Sequence, residues 1–298
     1  MRVVKHYIVF CLIAFAFSCT QEINITPKDF TEQLVVNSSL NSDSFISIFV
    51  SKTNTISSQL NYSPVTDALV KIYENKVFLG NLGHSVNGRY ALAIRPKKNV
   101  EYFIEINSGN LECTALDLIP DTVSVVSVQI DTVPFLNGQG FLQFTMEPSN
   151  IPGVKEYFEV SAQFNLREYK KKFGVVVDSN DIIRTVNLET IDPVILSNAN
   201  NKNFKEQYLF TDDALVASSK IKFGTYDARD LSANEKVVSC ILIFKSLSKD
   251  SYNYYNSLYS QIYFRTDPFS LPVRIQTNVL NGYGIFGGVQ EDRVEILF

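Results

Sequence analysis

Two histidines occur in the chain, His6 and His84, and only His84 lies beyond the N-terminal leader. A zinc site built from several imidazoles is therefore excluded. One imidazole oriented by a carboxylate could act as a general base, but no nucleophile motif accompanies it. The sequence has no Gly-x-Ser-x-Gly elbow, no Walker loop and no His-Glu-x-x-His helix. His84 is expected at the surface beside the Asn87-Gly88 turn. Asp178/Asp181 and Asp212/Asp213 offer hard oxygen ligands, but without the spacing of a calcium loop. They are expected in solvent, with Asp178 to Asp181 forming a turn. Arg167 to Lys172 holds four basic residues among six. That run could grip an anion, or it could protect an exposed strand edge from pairing. No metal, no cofactor and no enzymatic activity are expected.

The remaining chemical resource is aromatic: 15 Tyr and 22 Phe, with no Trp. Tyrosine offers both apolar area and a hydroxyl, which suits recognition as well as packing. Tyr252, Tyr254, Tyr255, Tyr259 and Tyr263 circle more than one face of a helix predicted over 248–263, so part of the cluster is expected at the surface. Tyr255, Tyr283 and Phe269 are the candidate binding residues. The absence of Trp disfavours a dedicated sugar-stacking site. A net charge of −4 and a pI near 5.4 argue against nucleic acid and give no reason to expect an electrostatic grip on anionic lipid.

The first nineteen residues, MRVVKHYIVFCLIAFAFSC, begin with Arg2 and Lys5 and continue as an apolar run from Tyr7 to Phe17. This is the grammar of a secretory signal, and the run is shorter than the roughly 20 residues a membrane helix needs. Ala16-Phe17-Ser18-Cys19 resembles a lipoprotein signal, with Cys19 as the lipidated residue. An ordinary secretory cut near Ser18 is the alternative. Residues 1–18 are then the signal peptide, and 19–32 the lipidated cysteine and a polar tether. Cys113 and Cys240 remain after cleavage. Export permits a disulfide, while their alternating apolar surroundings favour two separate buried thiols.

From Gln33 onward the chain reads as β-structure. Tyr90, Leu92 and Ile94 share one face, as do Tyr102, Ile104 and Ile106. Asn87-Gly88 and Asn107 to Asn110 supply turns. Short strands at this spacing predict a β-sandwich over 33–120. A second, mainly β domain with one helix is predicted over 121–298. There Phe158, Val160, Ala162 and Phe164 share a face, and Asp192 to Asn203 reads as a loop. Tyr252, Tyr255, Leu258, Tyr259 and Ile262 recur at helical spacing, with Ser248 as the cap. The tail packs four glycines around Tyr283, Ile285 and Phe286, which suits close backbone approach. Val294 to Phe298 reads as a terminal strand.

Pro64-Val65, Ala68, Val70, Gly88 and Tyr90 resemble the pattern of prealbumin-like regulatory modules of exported proteins, which implies that the sandwich over 33–120 is immunoglobulin- or prealbumin-like. Together with Leu34-Val35-Val36, Tyr102, the lipobox and the glycine-rich tail, the chain resembles the "domain of unknown function 4249" family of Bacteroidota lipoproteins. That resemblance implies an outer-membrane, lipid-anchored accessory protein associated with a TonB-dependent transporter, since such genes often lie beside transporter genes. Which side of the membrane it faces stays open. A structural or adhesive surface role is the alternative.

Overall fold

The computed structural model describes residues 31–55, 62–121, 125–134, 140–149, 155–190, 202–203, 206–211, 220–225, 234–264 and 271–298. All the secondary structure described lies in the unit Gln33–Phe298. The first strands are β1 (Leu34–Leu40), β2 (Ile46–Lys52), β3 (Ser63–Pro64), β4 (Leu69–Glu74), β5 (Val77–Val86), β6 (Arg89–Leu92), β7 (Glu101–Ser108) and β8 (Leu111–Leu118). Then come β9 (Val125–Pro134), β10 (Gly140–Pro148), β11 (Tyr157–Lys172), β12 (Val175–Val186), β13 (Glu189–Thr190), β14 (Lys202–Asn203), β15 (Gln207–Thr211) and β16 (Ile221–Thr225). β17 (Glu235–Leu247), helix α1 (Lys249–Phe264), β18 (Val279–Leu280) and β19 (Gly282–Leu297) close the chain.

The fold is mainly β, as the sequence predicts. Fifteen strands form one hydrogen-bonded sheet along the path β14-β15-β11-β17-β19-β1-β2-β6-β5-β4-β7-β8-β18, with β12 on β11 and β3 on β2. A separate sheet has the order β13-β16-β10-β9. Period-two alternation places the apolar side chains. Leu34, Val36 and Leu40 point inward from β1, and Tyr102, Ile104 and Ile106 from β7. They join Ile48, Val70, Tyr90 and Cys113 in one core. Tyr90 shows why the Pro-Val-x-x-Ala segment precedes it. Its buried hydroxyl donates to the Val65 carbonyl at 3.0 Å and accepts from the Ala68 amide at 2.8 Å.

A second core lies between β11, β15 and β17 and the smaller sheet. Phe158, Phe210, Phe223 and Phe244 are fully buried there, with Phe158 5.2 Å from both Phe210 and Phe244 between ring centroids. Each such ring contributes about 2–3 kcal/mol by burial. Cys240 sits in this core and Cys113 in the first; both are free thiols. Burial pushes each thiol up to about 12, so both stay protonated.

The tail crosses the position 120 boundary read from the sequence. Val279 and Phe286 belong to the core of residues 34–119. β19 runs parallel to β1 through Gly282–Gly288, then antiparallel to β17 through Val289–Leu297. One strand therefore joins both cores.

The predicted turn at Asp178 to Asp181 is not observed. These residues lie within β12, and the chain reverses instead at Phe173-Gly174. Cross-strand ion pairs hold the two acids extended: Arg167 Nε to Asp181 at 2.8 Å, and Lys170 Nζ to Asp178 at 3.1 Å. Asp212, Asp213 and residues 192–201 lie outside the described residues, while Lys202–Asn203 is β14.

Candidate functional site

Helix α1 positions the tyrosines, and its own position is fixed at its start. Ser248 is the N-cap, as predicted: its Oγ accepts the Ser251 amide at 3.0 Å. The Ser248 hydroxyl donates to the buried carboxylate of Asp117. Asp117 also accepts the amides of Gly288 and Leu118, each at 2.8 Å. One carboxylate thus ties the end of β8, the middle of β19 and the start of α1. Burial raises the Asp117 carboxyl to about 6, against the pull of these three hydrogen bonds.

A group with a raised folded-state pKa stabilises the fold fully below its unfolded value of 3.8 and loses that contribution as pH rises through about 6. The difference corresponds to about 3 kcal/mol at most. Asp117→Asn lacks this titration. The stability gap between wild type and Asp117→Asn is expected to widen from pH 7 to pH 4, as read by urea midpoints. A gap that narrows in that window would contradict the assignment.

α1 packs on the outer face of β15, β17 and β19 through Tyr252, with Leu209, Leu247 and Val289 beneath it. Tyr255 stacks on Tyr259, with ring centroids 5.7 Å apart and 23° between planes. Tyr254 meets Tyr255 edge-on at 5.5 Å. Beneath them Glu159, only 1% exposed, accepts the Tyr259 hydroxyl at 3.2 Å and the Lys245 ammonium at 2.6 Å. Burial, then the Glu159 charge, raises the tyrosine hydroxyls of Tyr255 and Tyr259, so both remain protonated donors.

The free side of this tyrosine row faces the outward side chains of β1, β2 and β6. Between them runs an open groove of about 620 Å³ whose lining includes Tyr254, Tyr255, Ser39, Phe49, Arg89 and Ile285. Arg89 Nη1 donates to Ser47 Oγ at 3.2 Å, leaving the rest of a five-donor guanidinium on an exposed side chain. Tyr283, half-exposed, shares the side of β19 that carries Ile285, two residues on. The structure therefore brings Tyr255 and Tyr283 to the same side of the sheet. Phe269 and Cys19 lie outside the described residues. Arg89 was not singled out from sequence. Its signal was the alternation itself, since an inward Tyr90 requires an outward Arg89.

A second cleft, of about 710 Å³, opens beside Asp117, Asp121, Lys155 and Tyr157. Its buried carboxylate is already committed to three donors within the fold, so it serves architecture. His84 is exposed, and its Nε2 accepts the Gly88 amide at 3.3 Å. Among the described residues no group of three His, Cys, Asp or Glu could hold a metal ion, and no helix is long and apolar enough to cross a membrane.

The family described as "Domain of unknown function (DUF4249)" matches residues 20–295, which include both cores, α1 and the groove. The chain belongs to this family. No curated protein matches the chain. Among solved structures, a Parabacteroides merdae beta-glucuronidase with glycerol in its active site aligns at 10% identity over 73% of this chain and 23% of that chain, with a TM-score of 0.21. The chain thus spans under a quarter of that protein, and a superposition this loose carries no argument.

Proposed function

We propose that this DUF4249 member is a non-enzymatic accessory lipoprotein, held to the outer membrane by lipid on Cys19. In this reading it binds a partner in the groove between α1 and the β1-β2-β6 face. A TonB-dependent outer-membrane transporter is the proposed partner. The observation that carries the binding reading is the groove itself. It sets two tyrosine rings, serine hydroxyls and a guanidinium on a floor made rigid by the Asp117 and Glu159 contacts. Its lining among the described residues holds no Asp, Glu, His or Cys. That chemistry grips and orients but offers no acid–base pair.

Photo-cross-linking in cells tests this reading. A photoreactive residue at Arg89 or Ser39 in the groove, or at Tyr283 on the same side of the sheet, is expected to trap an outer-membrane barrel protein, while one at exposed Val77 does not. Labelled palmitate is expected on wild type and not on Cys19→Ala. Equal trapping from Val77, or no barrel adduct from the groove, would remove the groove from the account. Label retained by Cys19→Ala would remove the anchor.

A further inference from the structure

The β11–β12 hairpin departs from the rules the rest of the chain obeys. β17 ends its pairing with β11 at Glu168, opposite Glu235, and Tyr169 makes one last bond to Asn234. Beyond that point, among the described residues, β11 and β12 pair only with each other, and every residue from Lys170 to Asp181 is exposed. At about 3.4 Å per residue, the tip stands roughly 14 Å beyond Tyr169.

The tip is a two-residue turn with positive φ at Phe173 (52°) and Gly174 (80°). Turns of this kind favour Asn-Gly, and the chain uses Asn87-Gly88 at 49° and 77° elsewhere. A bulky aromatic in the left-handed region is strained. Phe173 gains no burial in return, being 97% exposed. Val175, Val176 and Val177 follow, all exposed. Among the described residues no contact offsets this strain, which points to a benefit outside the fold.

Register identifies what the tip meets. Val175 pairs with Lys172 and Val176 with Lys171. Adjacent residues of a strand point to opposite faces, so these two pairs put a valine beside a lysine on each face of the ribbon, and Val177 is the extra residue where the register shifts between Lys170 and Lys171. A docking protein covers one face. An apolar medium surrounds both. Residues 170–178 hold three lysines and one aspartate, Asp178, which is paired to Lys170. The result is an apolar end with a basic collar on both sides. Lysine stems can lie along apolar tails while their ammonium groups reach phosphate.

We propose that the β11–β12 arm inserts its tip, Phe173 and Val175–Val177, into an anionic lipid surface, with Lys170–Lys172 at the level of the phosphates. This goes beyond groove binding and does not require the Cys19 anchor. The overall charge of −4 hides it, because the lysines are concentrated at one projecting end.

The test uses the chain carrying Cys19→Ser, so that no acyl group contributes. It is sedimented with phosphatidylcholine vesicles containing or lacking one third phosphatidylglycerol. Binding is expected to the anionic vesicles and to weaken with added salt. Phe173→Asn should reduce partitioning about tenfold or more while the melting temperature stays equal or rises, since Asn suits the turn. Lys171→Ala and Lys172→Ala should each cost about fivefold on anionic vesicles. No binding to anionic vesicles, or binding unchanged by Phe173→Asn, overturns the proposal. So does a photoreactive residue at 173 that traps protein while vesicles stay unbound.

Discussion

Gly284→Ala is expected to be the most damaging single-methyl change in the described chain. Gly284 has φ of 98°, and a Cβ there would lie 1.9 Å from the Val36 carbonyl oxygen. The obstacle is backbone, so no side chain can rotate away. Val36 is its parallel partner in β1, and β1 is the link by which β19 reaches the first core. Left-handed strain costs about 1–3 kcal/mol and forced overpacking a similar amount or more. Together they approach the roughly 5–15 kcal/mol that stabilises a whole domain. Gly109→Ala is the control. Its φ is 58°, but nothing lies within 4 Å of an added Cβ, so only the conformational cost of about 1 kcal/mol applies. Urea midpoints should separate the two substitutions widely. Equal losses would show that β1 and β19 do not meet as described.

The contrast between these glycines marks what could be read in the sequence. Four glycines around Tyr283, Ile285 and Phe286 signalled close approach, but not to what. The answer is non-local: β19 returns to pair with β1, and no local pattern encodes a pairing between chain ends. Alternation, by contrast, is local, and it placed Tyr90, Tyr102, Ile104, Phe158 and Phe164 in the cores. The helix and its Ser248 cap were legible for the same reason. The hairpin was misread because Asp-Ser-Asn-Asp carries turn chemistry and Phe-Gly does not. Cross-strand pairs to Arg167 and Lys170 override that preference, and the strained turn at Phe173 is the conflict that points outward to lipid. Tyr255 in the groove and Tyr283 on the same side of the sheet were readable as aromatic resources. The serines were not, since exposed small polar residues carry no distinguishing pattern, and Arg89 was legible only as the outward neighbour of an inward Tyr90.

Lys245→Met is expected to destabilise more than Glu159→Gln, although both break one ion pair. The asymmetry follows from burial. The Glu159 side chain is 2% exposed and that of Lys245 is 29% exposed. Burial alone would lower the Lys245 ammonium, but the nearby Glu159 carboxylate, reinforced by Glu291, holds it above the ordinary lysine value. Removing the ammonium leaves a buried carboxylate that still accepts the Tyr259 hydroxyl but has lost its counter-charge, a change worth about 3–5 kcal/mol. Removing the carboxylate leaves an ammonium that can still reach water, so Glu159→Gln should cost about half as much or less. The double substitution Glu159→Gln/Lys245→Met should recover much of the larger loss, because no uncompensated charge stays buried. The same pair holds Tyr259, on which Tyr255 stacks. Lys245→Met should therefore also weaken trapping from the groove under conditions where the chain remains folded. If the two single substitutions cost the same and the double costs their sum, the pair is not coupled, and the tyrosine row must be held by helix packing alone.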